Sequence, residues 1–488
     1  MRVLLVNSNR EHAPQPAIPL GLCLVASSLA SRDFQVKVVD LCFARDVRRE
    51  LEAVAEQWQP DAIGLSVRNL DNGDYLRPRS YVVDAAALAL GIRSISQARL
   101  VIGGPAVSIV PTELLHALQA DYAIAGDGEE ALAALLQNVQ AGGDTSGLAG
   151  VYARNANDPS TSLGGNTVLP FRTTARVADI ETLPFAQVTN WVDLRQYLRY
   201  DCPMPVQTKR GCQFQCIYCT YCQVEGAQYR LRSPNTVAGE MWETKSKWKV
   251  NHFEFVDSTF SHPTNHAMAL CDAIIRCGLG AKLQTTGLHP GSTSRELIEL
   301  MKRAGFESVV CTPDSGSARV LERLKKGFSL DDIARTASWA REVELPMLWS
   351  FVFGAPGETE DTVRATIRFA EVVLGRRDRI LCTLGLRVYP GTELARAAVE
   401  EGLVSPSANL LSPAFYFSPE VTPARVLALL DHSKVRRQMV FLTSLQSSIV
   451  PLGMRLRHAL RLPGPPYRHV PLYNVFTRLT RTGPRKSR

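Results

Sequence analysis

The chain has 488 residues, 45% of them hydrophobic, a formal net charge of +8 and eleven cysteines. Such a length and apolar content give a globular protein of two or three domains, and no apolar run approaches the roughly 20 residues of a membrane-spanning helix. The positive charge is local. No acidic residue follows Asp431 while twelve of the 55 bases do, which leaves 43 bases against 47 acids in the body of the chain and gives no basic surface there for nucleic acid. The start, Met1-Arg2-Val3-Leu4-Leu5-Val6, is not a signal peptide, so a reducing cytoplasm with free thiols is expected.

In chain order, Arg2 to Val6, Val36 to Val39, Ala62 to Val67, Leu100 to Ile102 and Tyr122 to Ile124 read as strands. Leu20 to Ala30, Val47 to Gln57, Tyr81 to Ile92 and Thr112 to Leu118 read as helices between them. This alternation predicts an open parallel sheet covered on both faces, a doubly wound Rossmann-like α/β domain over residues 1–140. Ligands of such sheets sit beyond the carboxyl ends of the strands. Those ends carry Asn7-Ser8-Asn9, Asp40, Ser66 to Asn72, Gly103-Gly104-Pro105 and Gly126-Asp127-Gly128-Glu129-Glu130, small and polar residues that let a bulky ligand approach the backbone, though they would serve equally as turns and caps. No G-x-G-x-x-G follows the first strand, so the dinucleotide fingerprint is missing. Residues 141–195, with Asn155 to Thr167 rich in Asn, Ser, Thr and Gly, read as a linker.

From Pro205 strand and helix alternate again, with strands near Phe253 to Val256, Lys282 to Thr285, Ser308 to Cys311, Met347 to Phe353 and Ile380 to Val388. With the short apolar stretch Pro203 to Val206 these make six units, an incomplete (β/α)6 barrel over residues 196–400 whose reactive groups would line the strand ends. Between the first two strands stands Cys212-x3-Cys216-x2-Cys219. Three thiols can hold three corners of a cubane cluster and leave its fourth iron open, whereas structural zinc takes four ligands and no second pair follows. A zinc knuckle or inert core cysteines are the competing readings, and Cys222 repeats the last step, so spacing alone leaves the register open.

Together the halves resemble the cobalamin-dependent radical S-adenosylmethionine enzymes, most closely the methyltransferases, over roughly residues 1 to 400. The likeness rests on Gly103-Gly104-Pro105-Ala106-Val107-Ser108 and Asp121 to Glu129 in the first half. In the second it rests on the cysteine triad followed in order by Asp257-Ser258-Thr259-Phe260, Asp314-Ser315-Gly316-Ser317, Gly354-Ala355-Pro356-Gly357-Glu358-Thr359 and Tyr389-Pro390-Gly391-Thr392. The resemblance implies cobalamin against Ser66, Gly103, Gly104, Gly126 and Glu129. It implies a 4Fe-4S cluster on Cys212, Cys216 and Cys219, with Cys222 a bystander. S-adenosylmethionine would chelate the open iron and lie against Tyr218, Asp257, Ser258, Asp314, Ser315, Gly354 and Tyr389. Asp314 stands where relatives have glutamate, and could instead cap the helix beginning near Ala318. The D-x-H-x-x-G signature is absent and His12 is the sole histidine near the first strand end, which implies cobalamin without a histidine below the cobalt.

The implied reaction is reductive cleavage of S-adenosylmethionine to a radical that attacks an unactivated carbon, followed by methyl transfer through cobalamin to carbon or phosphorus of a small natural product or lipid intermediate. An electron donor such as flavodoxin or ferredoxin would be the partner. Cyclisation or rearrangement without methylation, and a non-catalytic cobalamin or metal sensor, are the other readings. Cys311, Trp349, Arg68 and Tyr75 could line a substrate pocket but read more simply as packing or surface groups. Residues 401–488 read as a mainly helical extension, with helices at Pro423 to Leu430 and Val435 to Leu445 and a basic tail. A cap on the barrel mouth is preferred there to a solvated tail or to an interfacial helix on anionic lipid, which Pro451, Gly453 and Pro463 would interrupt.

Overall fold

The structure, a computed structural model, describes residues 1–154, 174–408, 410–441 and 449–462, so Asn155 to Thr167 and the end of the tail lie outside it. Strand β1 (Arg2–Asn7) shows how the first domain is built. Successive side chains of a strand face opposite sides of the sheet. Val3 and Leu5 accordingly enter one core with helices α1 (Leu20–Ala30) and α6 (Gly128–Gln140), while Leu4 and Val6 enter another with α2 (Val47–Trp58), α3 (Val82–Ile95), the short α4 (Pro105–Ile109) and α5 (Pro111–Ala117). Strands β2 (Gln35–Asp40), β3 (Ala62–Ser66), β4 (Arg99–Gly103) and β5 (Tyr122–Ile124) complete a parallel sheet in the order 2-1-3-4-5. The order reverses between β1 and β3, so a crevice opens beyond Asn7 and Ser66. The expected strands and helices of this domain all form. The sheet continues beyond residue 140, however: β6 (Val151–Ala153) adds an antiparallel edge strand.

The second sheet is parallel throughout and has seven strands, ordered β17-β14-β13-β12-β11-β10-β7. They are β7 (Met204–Val206), β10 (His252–Phe255), β11 (Lys282–Leu288), β12 (Phe306–Asp314), β13 (Met347–Phe353), β14 (Arg379–Leu384) and β17 (Met439–Phe441). Phe253, Val309, Met347, Trp349 and Ile380 face the surrounding helices in the main core, whereas Val310, Leu348, Leu381 and Val440, of the opposite parity, meet in a small cluster of their own. Trp349 and Cys311, both fully buried in the main core, are packing groups. Two-stranded antiparallel ribbons, β8 (Lys209–Arg210) with β9 (Arg230–Leu231) and β15 (Leu386–Arg387) with β16 (Phe415–Tyr416), decorate this frame.

The C-terminal region departs from expectation in two places. Residues 439–441 are not helical: β17 pairs with β14 and widens the six-unit barrel, so the sheet does not stop at residue 400. Helix Ile449–Ala459 runs through both Pro451 and Gly453. Pro451 is its third residue, where the missing N–H would have had no intrahelical partner. Between β16 and the barrel, Leu411 is buried in the core of the first domain and Phe415 and Phe417 pack on Tyr75, at 5.7 and 5.3 Å between ring centroids. Tyr75 is therefore a domain-joining side chain, not a free pocket residue. Among the described residues no helix is long and apolar enough to cross a membrane.

Candidate active site

The cysteine loop is the connection between β8 and β9, closed by their antiparallel pairing. Within it Cys212 N–H donates to Gly226 O at 3.0 Å and Gly211 N–H donates to the Glu225 carboxylate at 3.1 Å. Gly211 has φ +99°, and a Cβ there would lie 2.1 Å from Gln228 O, so no other residue fits this crossing. Ile217 N–H donates to Leu324 O, and Ile217 O accepts from Leu394 N–H, which ties the loop to two barrel helices. Cys212 is buried and Cys216, Cys219 and Cys222 are partly exposed. Among the described residues no three His, Cys, Asp or Glu side chains converge as the ligands of one ion do. A cubane takes its ligands differently, one thiolate to each of three irons, and three of the four free thiols of this loop would suffice for it.

The polar strand ends around this loop hold the protein together more than they face a ligand. Asp257 accepts from Thr208 N–H at 2.7 Å and Thr208 Oγ1–H at 2.6 Å, and Ser258 Oγ–H donates to Gly211 O at 2.7 Å. Both side chains anchor the root of the cysteine loop. Asp314 does not cap the helix Ala318–Arg323, whose N-cap is Ser317. It is a buried carboxylate paired with Lys326 Nζ at 2.9 Å and accepting from Tyr218 Oη–H. Ser315, fully buried, meets Thr366 Oγ1 at 3.2 Å, which turns it into the core. Gly354 lies under the Phe417 ring, 2.6 Å from where its Cβ would be, so no side chain fits there. Thr366 and Phe417 thus occupy the side-chain space at Ser315 and Gly354, and any contact of these two residues with S-adenosylmethionine would be through their backbone.

The other expected residues converge. Ser66, Gly103, Gly104, Gly126, Glu129 and Tyr389 line one cavity of about 700 Å³ that starts in the β1/β3 crevice and reaches the barrel at Gln207, Glu254, Val256 and Thr286. Its wall in the first domain mixes Gly64, Gly103, Gly104, Gly126 and Gly128 with apolar side chains such as Leu20, Val25 and Leu70. No histidine lines it among the described residues; His12 lies apart, its Nε2 2.7 Å from Cys42 O and its ring against Phe43 and Tyr200. Arg68 lines this cavity and a second of about 530 Å³ beside it.

Three side chains that matter here were not singled out from the sequence. Arg210, two residues before Cys212, crosses to the first domain and forks onto Glu129 at 2.5 and 3.2 Å, with Asp127 at 3.1 Å, all three buried. Asp127 also pairs with Arg230. Lys326 is the buried partner of Asp314. Glu254 faces the cavity, bonded to Gln284 Nε2 at 3.0 Å, and burial pushes its carboxyl up despite that bond. The signal for Glu254 was available, since His252 and Glu254 alternate with Phe253 and Phe255 along a barrel strand.

The B12 binding domain model matches residues 8–136 and the Radical SAM superfamily model residues 206–370. The chain belongs to the cobalamin-dependent radical SAM enzymes. It is 25% identical over 417 residues to an uncharacterized methyltransferase of Pyrococcus horikoshii, covering 83% of this chain and 84% of that one. It is likewise 25% identical over 455 residues to the tryptophan 2-C-methyltransferase of Streptomyces laurentii, covering 82% and 74%. Its fold superposes on the radical S-adenosylmethionine methyltransferase TsrM of Kitasatospora setae with a TM-score of 0.82 over 98% of this chain and 99% of that one, at 23% identity. The cofactors of this family member are a 4Fe-4S cluster, S-adenosylmethionine and cobalamin. A cobalamin radical SAM enzyme with this cavity depends on its glycine floor. Gly104 has φ +106° and a Cβ there would stand 2.7 Å from Val67 O. Gly104→Ala is expected to cost about 1–3 kcal/mol at the crevice and to lower cobalamin retained after gel filtration roughly tenfold, with iron content unchanged.

Proposed function

We propose that this enzyme transfers a methyl group from S-adenosylmethionine to a small polar substrate held in the cavity between its two sheets. The observation that carries the reading is the continuity of that cavity, which joins Gly103, Gly104 and Gly126 of the first domain to Glu254 and Thr286 of the barrel. Cys212, Cys216 and Cys219 would hold the cluster, and the bed around Ser66 and Gly126 would hold cobalamin. When bound, the cluster delivers an electron to S-adenosylmethionine and cobalamin carries the methyl group.

The chain's own residues bind and orient. Arg210 holds the cysteine loop against the cobalamin bed, Lys326 and Asp314 fix Tyr218 beside Cys219, and the buried Arg387 with its partner Asp71, 2.6 Å apart, ties the barrel to the first domain. Glu254 and Gln207 offer a hydrogen-bonding wall to a substrate. Tryptophan, the substrate bound in the TsrM structure, is therefore the first compound to try, followed by polar metabolite extracts. Anaerobic turnover with methyl-labelled S-adenosylmethionine and an external one-electron donor is expected to place label in product and to release S-adenosylhomocysteine. Cleavage of the cofactor with no label transferred to any supplied compound would overturn the methyl-transfer reading.

A further inference from the structure

Helix Ile449–Ala459 sits on the body of the protein by one face only. Val450 and Met454 are buried, Arg457 is paired with Asp201, and the Arg455 guanidinium lies 5.6 Å over the Tyr200 ring. Val450, Met454 and Arg457 are one and two turns apart, so they form one seam, with Arg455 beside it. The opposite face is apolar and, among the described residues, uncovered: Leu452 and Leu456, with Leu460 just past the helix end, are spaced four apart and are 65%, 58% and 59% exposed. Isolated exposed leucines need no explanation, but a row of them along one helix does.

We infer that this ridge docks the enzyme on an anionic lipid surface. Charge selects this occupant. Arg461 follows the ridge, Arg195 and Arg199 are exposed beside the Tyr200–Asp201 seat, and twelve bases with no acid follow Asp431. A leucine row flanked by bases matches the apolar boundary and charged headgroups of a bilayer, where each basic residue near the surface adds attraction. A second copy of this chain would bring an equally basic, acid-free tail against the first, and nucleic acid offers nothing to the leucines. Continuity of the helix through Pro451 and Gly453 gives the ridge the unbroken length the interaction requires. None of the three leucines lines the cavity, so docking is a separate property from the reaction proposed above.

The test is flotation of the full chain with vesicles of phosphatidylcholine alone or with about one-third phosphatidylglycerol. The expected result is flotation with the anionic vesicles only, weakened by salt, and reduced at least tenfold by Leu456→Glu with Leu460→Glu, whose circular dichroism and cofactor loading stay as in the parent. Removal of residues 463–488 should weaken flotation but leave it sensitive to the leucine changes. Absence of flotation, binding indifferent to the leucine changes, or a stable dimer in solution that those changes split would each overturn the inference.

Discussion

Cys216→Ala is expected to abolish both the broad visible absorbance of the iron–sulfur cluster after anaerobic reconstitution and all cleavage of S-adenosylmethionine, while the protein still binds cobalamin. Cys216 lies at the centre of a loop whose conformation is held by groups that do not include its own side chain: the Cys212 and Gly211 amides, the Ile217 bridge to Leu324 and Leu394, and the Ser258 bond to Gly211 O. Losing one thiolate therefore removes a ligand without unfolding the bed, and a cubane with two protein thiolates is not retained. Cys222→Ala is the counterpart. Cys222 sits on the short turn of helix Tyr221–Val224, and its variant should keep iron and activity. Loss of the cluster in Cys222→Ala together with its survival in Cys212→Ala would show that the triad is in the wrong register.

Arg210→Ala is expected to destabilise the protein by about 3–5 kcal/mol, the usual consequence of leaving a buried charge without its partner, and to lower the apo-protein Tm by roughly 10 °C. The change strands Glu129, which has no other ion-pair partner among the described residues, and leaves Asp127 to Arg230 alone. An exposed pair makes the control. Arg48 and Glu52 bridge one turn of α2 at the surface, and Arg48→Ala should shift Tm by no more than about 2 °C. Differential scanning calorimetry of the two variants separates the effects. Equal small shifts would mean that Arg210 is no clamp between the domains.

Much of this architecture was legible from residue order. The strands of the first domain were found because parallel strands buried on both faces read as short unbroken apolar runs, and α1 was found to the residue, Leu20–Ala30, because a helical pattern there runs between a proline and a turn. The strand-end glycines were legible as turns, caps or places of close approach, and the structure makes Gly104 and Gly126 close backbone crossings, against Val67 and Ala175. What could not be read were contacts over long separations. Nothing near Arg210 announces that its partners lie about eighty residues earlier, and nothing near Asp314 announces Lys326. The same distance blindness hid Thr366 and Phe417, which take up the side-chain space beside Ser315 and Gly354. Strand β17 was missed because three residues are too short for periodicity to separate strand from helix.

That last strand has a consequence for how the protein is made. β14 pairs with β13 on one side and with Met439–Phe441 on the other, so until the final tenth of the chain has been synthesised its hydrogen-bonding edge is bare. The 57 residues between Leu384 and Phe441 take about 3–11 s to translate. During that interval an apolar strand, Ile380 to Leu384, is offered to any neighbouring nascent chain. Expression yield should therefore depend on translation speed over this stretch and on chaperone supply, and chains stopped before residue 439 should collect as insoluble protein even though every residue lining the cavity between the sheets has already been made.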